Sequence, residues 1–128
     1  MRLRGVNNML TGIDILDVVR MEKFLQNEHF LEKYFTPYEI TYVNNTHRKT
    51  KTLAGMYCAK EAFLKAIGIG LFNGIELNEI EVHHEPSGKP YIILSDRAKL
   101  VTMTKGIKDI QISISHTDEI CTAICILN

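Results

Sequence analysis

The chain has 128 residues, of which 45% are hydrophobic and 23% charged, with 15 Lys and Arg balanced by 15 Asp and Glu. This length suits one domain, and the composition is that of an ordinary globular protein rather than a disordered chain. The zero net charge excludes a protein that coats polyanions in general, while leaving room for a local basic patch.

Neither a membrane-spanning segment nor a signal peptide is predicted, because two aspartates, Asp14 and Asp17, interrupt the only apolar candidate near the start of the chain. The three cysteines form an odd count without a secretory context, which predicts free thiols in a cytoplasmic protein. Cys121 and Cys125 lack the second pair of a zinc site, so packing is favoured over metal binding.

The first predicted elements are an extension over residues 1–8 and a short strand over residues 9–16, whose end delivers Asp14. A helix is then expected to start near Asp17, because apolar residues recur at helical spacing over positions 18–25.

A second helix is predicted from the sequence TPYEI. Thr36 can cap its start, Pro37 suits the first helical position, and Glu39 completes a capping box. This helix is expected to end near residues 44–45.

The third helix is the longest, from about residue 47 to Ile67, and Gly68 ends it as a residue that accepts a left-handed conformation. Its apolar side chains share one side of the helix: Leu53, Met56, Tyr57, Phe63, Leu64 and Ile67. Lys60 falls on the same side. Because an unpaired buried ammonium is costly, Lys60 must extend its head to water, find an acidic partner or face an anion-filled cleft.

The remaining elements are two strands over residues 75–84 and 89–94, a helix over 95–106, and a hairpin of strands over 110–116 and 120–127. The fold class is therefore α+β, with an antiparallel β-sheet packed against helices that include one long central helix.

Two charged residues lie on the edge of the long helix, Glu61 and Lys65, four positions apart. They form either a surface ion pair worth about 0.3–0.5 kcal/mol or part of a site for something anionic and metal-bound. His116 is either a polar residue at a strand end or a hydrogen-bond donor to an anion. The basic cluster over residues 47–51 is either a solvated face or part of a phosphate site.

Five sequence blocks, GIDILDVVR, FTPYE, LAGMYCAKEAFLKAIGIGL, SGKPYI and SISHT, resemble in order and spacing those of the holo-acyl-carrier-protein synthases. These are the small trimeric class of 4'-phosphopantetheinyl transferases. The resemblance covers nearly the whole chain, and AKEAFLKA is its most specific part. It implies one domain with the 4'-phosphopantetheinyl transferase fold over residues 1–128.

The activity implied by this resemblance is Mg²⁺-dependent transfer of 4'-phosphopantetheine from coenzyme A to a serine of apo-acyl carrier protein, in support of fatty acid biosynthesis. The second product is adenosine 3',5'-bisphosphate. By resemblance Asp14 and Glu61 hold the Mg²⁺, Glu61 helps to deprotonate the serine, and Lys65 contacts the leaving phosphate.

The resemblance also implies two sets of binding residues. Coenzyme A is expected to contact Arg48, Lys60, Lys65, Gly88, Lys89, Pro90, His116 and Thr117. The acidic carrier protein is expected to dock on Arg20 and Lys23 of the first helix. The implied assembly is a homotrimer with active sites between subunits, without nucleic acid or membrane partners.

One departure from the family pattern is Met56, which stands where many members have an arginine. Two consequences are open: coenzyme A binds less tightly, or Lys49 or Lys51 takes over the phosphate contact. Two rival functions remain open. One is a non-catalytic trimer that binds coenzyme A or a carrier protein. The other is an unrelated small α+β binding module whose charged helix edge is merely solvated.

Overall fold

The structure is a computed structural model that describes residues 9–68 and 74–128. The predicted extension over residues 1–8 lies outside the described residues. The strands are β1 Leu10–Asp17, β2 Ile80–His84, β3 Pro90–Leu94, β4 Ile110–His116 and β5 Ile120–Leu127. The α-helices are α1 Glu28–Tyr34, α2 Pro37–Asn44, α3 Lys49–Ile67 and α4 Asp96–Thr104. Two 3-10 segments cover Val18–Gln26 and Leu77–Glu79.

The main sheet has three antiparallel strands in the order β1-β5-β4. Leu127 of β5 pairs with Leu10 on one side and with Ile110 on the other. The two remaining strands, β2 and β3, form a separate hairpin. This order places β1 and β4 at opposite edges of the main sheet, and the fold is the α+β arrangement that the sequence predicts.

The two faces of the main sheet differ, because side chains alternate along each strand. One face packs on α3 and includes buried residues such as Ile112, Ala123 and Cys125. All three cysteines are buried free thiols, as the odd count predicts. The other face carries isoleucines that remain exposed: Ile13, Ile15, Ile120 and Ile124.

β1 and α3 approach each other closely at Gly12. A Cβ atom at this position would lie 2.1 Å from the Ala62 carbonyl oxygen and 2.4 Å from the Ala66 nitrogen. Only a residue without a side chain fits there, so the strand lies directly on the helix backbone. This contact sets the position of the charged residues that follow Gly12 along β1.

The ends of the predicted helices are confirmed at several caps. The Thr36 hydroxyl accepts a hydrogen bond from the backbone N–H of Glu39, and the Glu39 carboxylate accepts one from the backbone N–H of Thr36. Gly68 ends α3 with φ of 71°, and the Ser95 hydroxyl caps α4 by accepting from the N–H of Ala98.

Two sequence predictions near the start are wrong in detail. Asp14 lies in the middle of β1, opposite Ala123, because the strand continues to Asp17. The following segment is a 3-10 rather than an α-helix, and the Asp17 side chain makes no capping hydrogen bond. The backbone N–H of Val18 still donates to the Glu119 carbonyl at 2.8 Å, so a strand-like contact persists where the helix was expected to begin.

Two further elements differ from the sequence predictions. Helix α1 was not predicted, although the Asn27 side chain caps it by accepting from the N–H of Phe30 at 3.0 Å. The segment Leu77–Glu79, expected to be part of a strand, forms a 3-10 turn before β2. Among the helices in the described ranges, none has an apolar stretch long enough to cross a bilayer.

Candidate active site

Lys60 lies inside the protein, and neither its side chain nor that of Glu39 has any exposed surface. Its ammonium donates to the Glu39 carboxylate at 2.5 Å and to the backbone carbonyls of Tyr34 at 2.8 Å and Leu77 at 3.0 Å. Burial raises the pKa of Glu39 and lowers that of Lys60, while the attraction between the two charges opposes both shifts. Of the arrangements that the sequence left open, Lys60 therefore has the acidic partner.

The implied contact between Lys60 and coenzyme A does not fit this arrangement. An ammonium group has three donors, and all three are used inside the protein. The Glu39 carboxylate is equally occupied, since its second oxygen accepts from the N–H of Val82 at 2.9 Å. Lys60 instead joins α1, α2 and α3 to the segment that precedes β2.

Asp14, Glu61 and Lys65 come together at the edge formed by β1 and α3. The Lys65 ammonium donates to the Asp14 carboxylate at 2.9 Å, and the hydrogen bond and charge of Asp14 raise the pKa of Lys65. The Lys65 side chain is 55% exposed and that of Asp14 15% exposed. The close packing at Gly12 allows this cluster to form, since it holds β1 against the helix that carries the other two residues.

Glu61 is the half-buried member of this cluster. Burial is the largest cause that raises its pKa, and the nearby charge of Asp14 raises it further. The Tyr57 hydroxyl and the Lys65 charge act in the opposite direction. Tyr57 remains a protonated donor near neutral pH, since burial and the Glu61 charge raise its own pKa to about 12. The sequence pattern placed Tyr57 only in the apolar stripe of the helix and gave no sign of its contact with Glu61.

A groove of about 180 Å³ lies beside this cluster, between the first 3-10 segment and α3. The predicted docking residues Arg20 and Lys23 border it, together with Asp17. Its apolar wall contains Leu16, Met21, Phe24, Phe30 and Tyr57. Tyr57 thus lines the groove and also interacts with Glu61.

A different pocket, of about 270 Å³, lies between α3, the β2–β3 turn and the end of β4. Three residues that the resemblance assigns to coenzyme A line it: Gly88, Pro90 and His116. Met56 forms part of its wall and is fully buried. Lys51 lines the same pocket, so a cation reaches it although position 56 carries none.

Three more residues assigned to coenzyme A, Arg48, Lys89 and Thr117, are close in sequence to residues that line this pocket. Lys51 forms an ion pair with Asp118, and this contact lowers the pKa of Asp118 with a smaller effect from Arg48. The Thr117 hydroxyl accepts from the backbone N–H groups two and three residues later, which closes the turn after β4. Lys89 is exposed on the turn between β2 and β3.

Two aromatic residues in the wall of this pocket were not predicted, Tyr42 and His84. Their rings stack with centroids 4.7 Å apart and planes inclined by 8°. Burial lowers the pKa of His84, and the charge of His83 contributes. The alternation of Ile80, Val82 and His84 along one face of β2 was the signal that could have found His84.

The two groups of residues occupy opposite edges of the main sheet, because β1 carries Asp14 and β4 carries His116. The lining of the 270 Å³ pocket includes none of the three residues of the charged cluster. Within the described residues, no group of three or more His, Cys, Asp and Glu side chains has the arrangement of a metal site. One chain thus presents two separate groups of candidate site residues, the charged cluster and the lining of this pocket, which we call half-sites.

Comparisons with known proteins identify the family. The model of the 4'-phosphopantetheinyl transferase superfamily matches residues 11–125. The chain is 42% identical over 110 residues to a holo-acyl-carrier-protein synthase of Thermoanaerobacter sp. (strain X514), covering 85% of this chain and 79% of the relative. It is 39% identical over 120 residues to the synthase of Cytophaga hutchinsonii, covering 91% and 94%. The chain belongs to the holo-acyl-carrier-protein synthase family.

A solved structure of this family agrees with the fold. The synthase of Bacillus anthracis, determined in complex with CoA (3',5'-ADP), superposes with a TM-score of 0.74 at 32% identity and covers 92% of this chain and 94% of that one. The chain is therefore an enzyme of the phosphopantetheinyl transferase class. The two half-sites at the sheet edges are the candidate active site of this transferase.

Proposed function

We propose that the chain, as a single transferase domain, moves the 4'-phosphopantetheine group from coenzyme A to a serine of apo-acyl carrier protein. The observation that carries this proposal is the cluster of Asp14, Glu61 and Lys65, in which two carboxylates and one ammonium meet at an open edge. Phosphoryl transfer needs such a cluster, because its catalysis depends mainly on positioning and on the stabilisation of phosphate charge.

The donor set suits one Mg²⁺ ion held by Asp14 and Glu61. Mg²⁺ is a hard cation that binds one or two carboxylates and keeps waters and substrate phosphate oxygens in its other positions. The charge of Asp14 raises the pKa of Glu61, so the pair carries negative charge that a cation would relieve. When bound, the ion supplies neutralisation of the pyrophosphate of coenzyme A.

In the reaction, the serine oxygen attacks the phosphorus that bears the pantetheine arm, and the bond from this phosphorus to the leaving nucleotide breaks. The serine proton goes to Glu61, directly or through a water, since a carboxylate placed beside the attacking oxygen can act as the general base. The leaving adenosine 3',5'-bisphosphate takes the electron pair of the broken bond. The Lys65 ammonium stabilises that charge.

The nucleotide end of coenzyme A is proposed to bind in the 270 Å³ pocket near His116. Lys51 is the cation that serves there in place of the family arginine, because Met56 is apolar and fully buried. Asp118 holds Lys51 at the edge of the pocket. An incoming phosphate would compete with this exposed carboxylate for the Lys51 ammonium.

The carrier protein is proposed to dock on the groove bordered by Arg20 and Lys23. Carrier proteins of fatty acid biosynthesis are acidic around their serine, so two basic residues favour the encounter. The groove leads to Tyr57 and Glu61. A serine presented from this side arrives beside the proposed base.

A homotrimer with active sites between subunits is the proposed assembly. The half-sites lie at opposite sheet edges, so a single chain does not unite them, whereas a head-to-tail ring brings the β1 edge of one copy to the β4 edge of the next. The exposed face of the sheet supports the ring, because its isoleucines Ile13, Ile15, Ile120 and Ile124 are uncovered in the isolated chain.

The first test is the intact mass of an apo-acyl carrier protein after incubation with the protein, coenzyme A and Mg²⁺. We expect the mass of phosphopantetheine to appear with the natural sequence and with Glu32→Gln, an exposed control. It should be absent with Glu61→Gln and with a chelator. If coenzyme A binds but no carrier protein gains mass, the non-catalytic binding module is the better interpretation.

A further inference from the structure

An apolar pocket of about 500 Å³ lies between β3, α4 and the start of β4, and it has no part in the proposed transfer. Its floor contains the half-buried side chains of Ile92, Leu94 and Ile110. Two other lining residues are partly exposed, Ile93 at 46% and Met103 at 58%. The pocket shares no residue with either half-site of the transferase.

Two lysines complete the lining, Lys99 on α4 and Lys108 on the loop before β4. Neither belongs to any of the ion pairs in the part of the chain that the structure describes. Among the residues that the structure describes, none of those lining the pocket is acidic. An apolar pocket flanked by two unpaired ammonium groups is complementary to a ligand with an apolar body and an anionic head.

We propose that this pocket binds a monomeric fatty-acid-type carboxylate, with its acyl chain against Ile92, Leu94 and Ile110 and its carboxylate between Lys99 and Lys108. The pocket size falls within the roughly 300–1,000 Å³ of typical small-molecule sites. Each methylene group of the ligand that leaves water adds to the affinity, so the acyl chain supplies most of the affinity and the lysines select the head group.

The shape of the pocket favours a free acyl chain over two other occupants. A protein partner needs an interface of about 800 Å² per side, whereas the apolar surface here is a few side chains around a concavity. A membrane surface meets protruding apolar residues, whereas Ile92 and Leu94 of this pocket are half-buried.

The test measures binding to the full chain by calorimetry and by NMR of methyl groups, with dodecanoate below its micelle concentration as the probe. We expect saturable binding and shifts of the methyl signals of Ile92, Leu94 and Ile110, the residues against which the acyl chain is proposed to lie. Dodecyltrimethylammonium, which has the same chain and the opposite charge, should not compete. Replacing both lysines, Lys99→Gln with Lys108→Gln, should weaken dodecanoate binding about tenfold, as expected for the loss of charge-assisted hydrogen bonds.

The matched control is Lys105→Gln, because Lys105 is exposed at the end of α4 and does not line the pocket. It should leave the affinity unchanged. The proposal is overturned if the double variant binds dodecanoate like the natural sequence, if the cationic amphiphile binds equally well, or if the shifted methyl groups lie elsewhere. Binding only to anionic vesicles or only to an acidic amphipathic peptide would also overturn it.

Discussion

Gly12 is the residue on which the geometry of the charged cluster depends, because it lets β1 lie directly on α3. We expect Gly12→Ala to force the strand away, since the new methyl group would lie 2.1 Å from a backbone oxygen. Backbone atoms do not yield as a flexible side chain does. Both the free energy of unfolding in urea and the transferase activity should fall, because the displaced strand carries Asp14.

The control is Gly55→Ala, another glycine in contact between the helix and the sheet. Its added Cβ would lie 3.4 Å from a side-chain methyl group of Ile114, which is ordinary contact. Alanine also favours the helix by about 1 kcal/mol, so stability should stay constant or rise. Equal losses of unfolding free energy in both variants would contradict the special role assigned to Gly12. The control applies to stability alone, because Gly55 lines the 270 Å³ pocket.

The lowered pKa of His84 predicts that the protein loses stability in mild acid. Its pKa is lowered by burial from the ordinary value of about 6.5, so its contribution is fully present above that pH. The contribution is lost as the pH falls through the folded-state pKa. We expect His84→Phe, which keeps the ring on Tyr42, to flatten the decline of the melting temperature below pH of about 6.5. The exposed control His29→Gln should leave it unchanged.

At the scale of single residues, the sequence predicted the chemical roles of side chains better than it predicted which side chains contact one another. Helical spacing indicated that Glu61 and Lys65 share one edge, and the family blocks paired Glu61 with Asp14. The partner of Lys60 was not predicted, although Glu39 had been assigned to a helix cap. A side chain with two oxygens can cap its helix and bind an ammonium at once, and no local pattern reveals the second contact.

The buried pair of Lys60 and Glu39 acts at the scale of elements, because it joins α2 to α3 and to the segment before β2. We expect Lys60→Met to cost about 3–5 kcal/mol in the free energy of unfolding, since it leaves a buried carboxylate without its cation. Adding Glu39→Gln should recover part of this loss, because the amide removes the charge. The recovery is incomplete because the amide has one acceptor oxygen, whereas the carboxylate accepts from the backbone N–H groups of both Thr36 and Val82.

Urea unfolding of the two variants and of Lys65→Met measures this effect. Lys65 is on the same helix but is largely exposed, so its loss should cost at most about 1 kcal/mol. A double variant as unstable as Lys60→Met alone would show that the packing of the lysine stem, and not the unpaired charge, causes the loss.

Elements with strong end signals were predictable from the sequence, as the caps at Thr36, Gly68 and Ser95 show. Elements without such end signals were not predictable. The segment Val18–Gln26 has the apolar spacing of a helix but forms a 3-10 conformation. Its start is held by a backbone bond to Glu119, more than 100 positions away, and such a contact leaves no local pattern.

At the scale of the whole molecule, the opposite placement of the half-sites predicts complementation between damaged copies. Glu61→Gln damages the β1 edge, and Lys51→Ala with His116→Ala damages the β4 edge. Each variant alone should be nearly inactive. Refolding them together should restore roughly a quarter of the sites, since random rings unite intact edges in about one of four contacts.

The measurement is the transferase activity per chain after the two variants are refolded together. It is compared with the sum of the activities of the separately refolded variants. A wild-type sample taken through the same treatment corrects for losses in refolding. If mixing adds nothing beyond that sum, each site is built within one chain and the proposed ring geometry is wrong. The strand order behind this prediction was not available from the sequence, which predicted a β4–β5 hairpin but not that β5 lies between β4 and β1.

Leu10 at the start of β1 pairs with Leu127 at the end of β5. The polypeptide enters and leaves the main sheet at the same corner, so a short linker can join the two ends without crossing the fold. New termini can then be opened at the turn between β2 and β3, where the chain is exposed. Such a circular permutant keeps every strand pairing, and the same corner is a natural point for inserting this domain into a longer polypeptide.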